Sequence, residues 1–271
     1  MTYREQPPHI QRTLREKPQQ EREIPREWSY EQFRQFLMDA CKKDSETGIV
    51  SFEDLPETID LGFFHRKTQE CVQQTIAEKE KHEHGSDIFY DPERGKILIK
   101  AKTDKGTTNS VSMTVNPAFY YTSKAVRDSN KRTIGLVHSH PDNITFSHND
   151  IANFLASPDT KIMTVGLPNG VTEILVATHE TKWMLSEEAA RRNDFTEYEE
   201  QLDKWTQLLG RIYRKYYPER TTFSSSESEA INNQVFSKFA QHTSVNYRFG
   251  YYRSDESGIA RRVLPPKKKS Q

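Results

Sequence analysis

The sequence predicts an α+β fold with helical extensions at both ends, and three observations carry that expectation. Segments of period two and segments of period 3.6 are mixed along the chain without a regular β-α-β rhythm. Hydrophobic residues make up 34% and charged residues 29% of the 271, too little apolar content for a core running the whole length, so a domain of ordinary size with solvated flanks fits best. The 14 Phe, 12 Tyr and 3 Trp still supply large apolar area, and they recur at the spacings of buried faces.

Taken in order, residues 1–27 are polar, hold four prolines and show no periodicity, as expected of a disordered or surface-hugging arm. Residues 28–64 form a helical N-terminal extension: Tyr30, Phe33, Phe36, Leu37, Ala40 and Cys41 share one helical face behind Ser29 as N-cap, and Gly48 and Pro56 interrupt the segment after that helix. A central domain is expected over residues 65–186. It opens with a long polar helix through "HRKTQECVQQTIAEKEKHEH" and continues with a hairpin, "SDIFYDPERGKILIKAK", turning at Asp91-Pro92-Glu93-Arg94-Gly95. "NSVSMTVNP" alternates as a further strand, and "PAFYYTSKAVRDSNKR" reads as a helical turn or short helix. "TIGLVHSH" is a strand and "SHNDIANFLAS" a helix, after which "KIMTVGLP" and "VTEILVATH" pair around Asn169-Gly170, with "KWMLS" as one more strand. Residues 187–271 form a helical C-terminal extension. It has a long helix from Glu187 with Phe195, Tyr198, Leu202, Trp205, Leu209 and Ile212 on one face, a Ser-rich linker, a helix around "EAINNQVFSKFAQH", the aromatic "YRFGYYR" and a basic end.

Charge and cysteine usage narrow the function classes. Lys+Arg and Asp+Glu both total 39, so no global field favours nucleic acid or a membrane surface. "YRFGYYR" interleaves aromatics with Arg, yet packed aromatics are the expected reading with zero net charge, and a nucleic-acid partner is not expected. Cys41 and Cys71 lack metal-ligand spacing and suit reduced thiols. The N-terminal residues hold no apolar run and no stretch approaches a bilayer-spanning length, so a cytoplasmic protein without membrane partners is expected.

The chemistry is concentrated in "HSHPDNITFSHND", residues 138–150. Residues two apart on a strand point to one side, so His138 and His140 can offer ring nitrogens to one point. Asp150, three beyond Ser147 in the first turn of a helix, can turn its carboxylate back as a third ligand. Two imidazoles and a carboxylate leave a fourth position to water, the arrangement of a catalytic zinc. Ser-x-x-Asp is also a capping-box variant, and Pro-Asp-Asn is ordinary turn chemistry. Both readings of Ser147 can hold at once. The whole window, strand before and helix after, favours metal.

The window resembles the zinc signature of the JAMM (JAB/MPN) metalloprotease family: His-x-His-Pro, a short loop, then Ser-x-x-Asp. The resemblance implies a JAB/MPN-like mixed sheet flanked by helices, with zinc held by His138, His140 and Asp150. It implies that Ser147 helps stabilise the tetrahedral oxyanion and that a glutamate from an earlier strand activates the water. "KEKHEHGSDIFYDP" matches that glutamate at Glu83, with Gly85 behind it; Glu80 and Glu78 are the competitors. The loop from Pro141 to Ser147 is shorter than in many family members, and no ligand is lost. The activity implied is hydrolysis of a peptide or isopeptide bond, with a ubiquitin-like modifier as one substrate and a partner subunit held through the terminal helices. The alternatives are a catalytically silent binding or scaffold module of the same fold and an unrelated metallohydrolase. The latter draws further ligands from later strands, where only His179 and His242 remain.

Overall fold

The computed structural model describes residues 26–42, 50–106, 132–156, 158–186, 188–189, 192, 194–216 and 225–263. The expected N-terminal arm up to residue 25, the strand "NSVSMTVNP", the segment after it, most of the Ser-rich linker and the basic end lie outside the described residues.

Among the described residues, ten strands form a single mixed sheet with helices on both faces. In chain order these are β1 (Glu27–Trp28), α1 (Tyr30–Ala40), β2 (Thr58–Asp60), α2 (Phe63–Ala77), β3 (His84–Asp91), β4 (Lys96–Ile99), β5 (Asp104–Lys105), β6 (Arg132–Ser139), α3 (His148–Leu155), β7 (Ile162–Gly166), β8 (Thr172–Val176), α4 (Thr196–Tyr216), α5 (Ser225–Tyr247), β9 (Gly250–Ser254) and β10 (Ile259–Arg262). The strand order is β1-β2-β10-β9-β8-β7-β6-β3-β4, with β5 paired to β3. The α+β class is therefore observed, with two parallel pairs among the described strands: β1 and β2, joined through α1, and β6 and β7, joined through α3 as a β-α-β unit. That unit sets the start of α3 beside the end of β6.

The strand alternation sorts side chains into two cores. Val137, Ile162, Ile174, Val176 and Tyr252 face α1 and α2, together with Phe33, Phe64 and Cys71. Leu136, Met163, Val165, Leu175 and Tyr251 face α3, α4 and α5, together with Phe154, Trp205 and Phe239. The register continues across the sheet: Gly85 pairs with His138, His138 with Val165, Val165 with Glu173 and Glu173 with Arg253. His138, Glu173 and Arg253 thus share the face covered by α3–α5.

Local chemistry explains the element starts. Ser29 and Gln32 close a reciprocal capping box on α1. Asp91 accepts the N–H groups of Glu93 and Arg94, and Gly95 takes φ 56°, making the β3–β4 turn. Gly135 carries no side chain because a Cβ there would meet the Ile162 carbonyl oxygen at 1.9 Å, where β6 and β7 come together.

Four expectations are corrected. The two flanks are not purely helical, because β1 and β2 from one and β9 and β10 from the other enter the same sheet as the central strands. The helix expected over residues 65–84 spans Phe63–Ala77 instead: Glu78-Lys79-Glu80-Lys81 supplies no apolar residue to continue its stripe, and His84 is taken by pairing to β5. "KWMLS" adds no strand; Met184 donates its N–H to Leu155 O and packs in the core from a loop. The long helix begins at Thr196 rather than Glu187, where Asp194 accepts the Thr196 N–H. No helix among the described residues is long and apolar enough to cross a membrane.

Candidate metal centre

β6 delivers His138 and His140 to one face at its end, and α3 delivers Asp150 from its first turn. His138 Nε2 lies 3.5 Å from Asp150 Oδ1, and His140 Nε2 lies 3.4 Å from Asp150 Oδ2. One ligand atom from each of the three residues lies within 4.8 Å of the other two. Both imidazoles are buried, and 19% of the Asp150 side chain is exposed. For metal bonds of about 2.0–2.1 Å a tetrahedral edge is about 3.3 Å, close to both separations.

The hydrogen bonds leave the lone pairs of this group aimed at one another. His140 Nδ1 lies 2.7 Å from the Ile144 carbonyl, which must accept, so Nδ1 carries the proton and Nε2 is free to ligate. His138 has no hydrogen-bond partner at either ring nitrogen, a costly state for a buried polar group. A cation accepting the Nε2 lone pair removes the cost at that atom, and the donor set of two nitrogens and a carboxylate oxygen suits a divalent ion. The residues therefore fit a metal.

Without a cation the same atoms form a charged cluster. Burial works against protonation of His140, but the adjoining Asp150 carboxylate dominates and raises its pKa to about 9. Burial also opposes ionisation of Asp150, and the two imidazoles outweigh it and hold the carboxyl well below the usual range.

Ser147 is the N-cap of α3. Its N–H and its hydroxyl both donate to Asp150 Oδ2 at 2.7 Å, and its Oγ accepts the Asp150 N–H at 3.2 Å. The capping box expected from sequence and the ligand position are thus one structure.

Glu83 sits immediately before β3. Continuing the Gly85–His138 register by two residues brings it opposite His140. Its carbonyl accepts the Gly106 N–H at 2.8 Å, and its side chain is buried. Burial raises its pKa, the fields of His138 and His140 oppose that, and Asp150 and Asp142 add to it. Glu78 and Glu80 face elsewhere: Glu78 binds Lys105, His82 and His84, and Glu80 is 82% exposed.

Two contributors were not read from sequence. Ser139, between the two histidines, points to the opposite face, where its hydroxyl meets Thr75 Oγ1 at 2.6 Å, accepts the His84 N–H at 3.0 Å and lies 3.2 Å from the His84 carbonyl. It locks the residue after Glu83 to the strand of the histidines. Glu173, fully buried on β8, accepts from Thr145 and from Tyr251 Oη at 3.0 Å, and Arg253 Nη1 lies 3.1 Å from its other oxygen. Its signal was a lone carboxylate within the apolar run "VTEILVA".

His148, beside Ser147, stacks on Phe236 at 6.2 Å between ring centroids, away from the ligand group. Comparison of the chain with protein-family models, curated proteins and solved structures found no match.

Proposed function

We propose that this protein is a zinc-dependent metallopeptidase of JAMM (JAB/MPN) type that hydrolyses a peptide or isopeptide bond, that of a ubiquitin-like modifier included. The observation that carries the reading is the convergence of His138, His140 and Asp150 with a buried glutamate facing the same point. His138 Nε2, His140 Nε2 and the Asp150 carboxylate would hold the ion. When bound, zinc supplies Lewis acidity, which lowers the pKa of water to about 7 and polarises a carbonyl.

The chain's own groups do the rest. Glu83 would take a proton from the attacking water and hand it to the leaving nitrogen, and burial raises its carboxyl pKa, the direction that a base which later acts as an acid requires. Ser147 Oγ is held by the Asp150 N–H, and its hydroxyl, which donates to Asp150 Oδ2, would turn from that carboxylate to the oxyanion. The His140–Ile144 hydrogen bond keeps the imidazole in the tautomer that ligates through Nε2.

The second reading is a catalytically silent binding or scaffold module. It draws on the closed Ser147–Asp150 box, which satisfies both side chains without a cation. A cleavage screen over peptide and isopeptide-linked ubiquitin-like substrates, with Glu83→Gln beside wild type at equal zinc content, separates the two. Cleavage that falls about 10²–10⁴-fold in the variant is the expected outcome for loss of a general base. Cleavage unchanged in Glu83→Gln removes Glu83 from the mechanism, and no cleavage by a zinc-loaded wild type over the whole screen favours the silent module.

A further inference from the structure

We propose that Glu173 is a positioning residue for the metal centre, anchoring the segment 144–147 to the sheet and through it setting His140 and Asp150. The inference rests on the metal reading above and adds a residue to it. A carboxylate with no exposed surface is costly in a strand whose next residues, Ile174, Leu175 and Val176, are apolar and buried. Its contacts explain its presence. One oxygen accepts the hydroxyls of Thr145 and Tyr251, which also lie 3.1 Å from each other, and the other faces Arg253.

Thr145 belongs to a run of four residues, 144–147, whose other three each reach the centre. The Ile144 carbonyl holds His140 Nδ1. Phe146, fully buried, packs on the His138 ring at 6.1 Å and on Tyr251 at 6.5 Å. Ser147 caps α3 and grips Asp150. Within this run the polar side-chain tie to the sheet is Thr145 on Glu173, across to β8 and β9. With that tie removed, Ile144 and Ser147 lose their common support, and the imidazole and the carboxylate they orient no longer share one fixed geometry.

The test is Co²⁺ titration of the full-length, metal-free protein, followed by the visible ligand-field absorption and by competition with Zn²⁺, with the melting temperature of each metal-free form measured alongside. Wild type, Thr145→Val, Glu173→Ala and Glu173→Gln are compared. Thr145→Val and Glu173→Ala are expected to bind about 10–100-fold more weakly, the usual cost of losing a group that orients a ligand, with altered band intensity. Glu173→Gln keeps an oxygen for both hydroxyls while Arg253, 36% exposed, turns to solvent; it should stay close to wild type. If Glu173→Ala fails to fold, Thr145→Val decides. A lowered melting temperature with unchanged affinity and spectrum would mean a merely structural role and overturn the proposal. Wild type that takes up no Co²⁺ overturns the metal reading and this one with it; wild type that binds, with variants that bind equally, overturns this one alone.

Discussion

Two histidine–carboxylate clusters stand at the same end of the sheet, and they answer opposite electrostatic needs. At the start of β3, the Glu78 carboxylate gathers Lys105 Nζ at 2.8 Å, His82 Nδ1 at 3.1 Å and His84 Nε2 at 3.2 Å, with Glu78 and Lys105 both reaching solvent. Lys105 foremost holds the Glu78 carboxyl below its ordinary range. At the end of β6, Asp150 has two imidazoles and Ser147 as partners, and both nitrogens of His138 are buried without a hydrogen bond. His84 keeps one such orphan, Nδ1, where His138 keeps two. Residue types alone do not separate the clusters. What separates them is a built-in cation: the first has a lysine, and the second has none and is a group that could hold a metal ion.

The largest effect that would sharpen this contrast comes from the ligands. Purified wild type should carry about one zinc per chain, His138→Ala/His140→Ala none, and excess zinc should stabilise wild type by about 2.7 kcal/mol at a hundred times its Kd while leaving the double variant unmoved. Elemental mass spectrometry and thermal melts read both. Zinc retained in the double variant would break the comparison.

Next in size is a mechanical break. Gly135→Ala would drive a Cβ to 1.9 Å from the Ile162 carbonyl oxygen and 2.7 Å from its Cγ2, so β6 must shift against β7. Destabilisation of about 1–3 kcal/mol is expected in denaturant unfolding, with weakened metal uptake, because the His140 N–H donates to Gly166 O of β7 and a shift of β6 against β7 displaces that histidine.

The pH response comes third. In the metal-free protein the His140 pKa is raised to about 9, so its contribution to stability is fully present below the unfolded value of about 6.5 and is lost as pH rises through 9. Asp150 is depressed, so its contribution is present above about 3.9 and is lost as pH falls through its lower folded value. Melting of the metal-free form should therefore be highest between about pH 4 and 6.5 and decline toward pH 9, a decline removed in His140→Gln. Metal affinity should run the other way and rise over that window, since the ion competes with the imidazole proton.

The smallest effect belongs to the satisfied cluster. Glu78→Gln should leave zinc stoichiometry unchanged and lower the melting temperature slightly, less so in high salt, because exposed ion pairs contribute little. Loss of zinc in that variant would show that the two clusters are one site.

Local chemistry made much of this fold readable from sequence. The Ser29 cap, the Asp91–Gly95 turn, the Asn169–Gly170 hairpin with Gly170 at φ 81°, and the strand–loop–helix around His138–Asp150 all depend on residues a few positions apart. The aromatic "YRFGYYR" was readable as packing, and Phe249, just before β9, and Tyr251 and Tyr252, within it, are buried. Strand membership at the ends was not readable. β2 gains its partner from β10, about two hundred residues away, and no pattern within either segment announces that pairing.

The amino-acid sequence by itself determined which groups could ligate and how they alternate: period two puts His138 and His140 on one face, and a capping Ser three residues before Asp150 starts a helix there. Only the tertiary structure decided that β7 would lie parallel to β6 so that α3 begins over the histidines, that Glu83 rather than Glu78 or Glu80 faces them, that Ser139 on β6 would meet His84 on β3, and that Thr145 would meet Glu173 on β8. The reason is physical. Side-chain direction follows from local backbone geometry, whereas burial, strand register and the field at a carboxylate come from chain segments far apart in sequence.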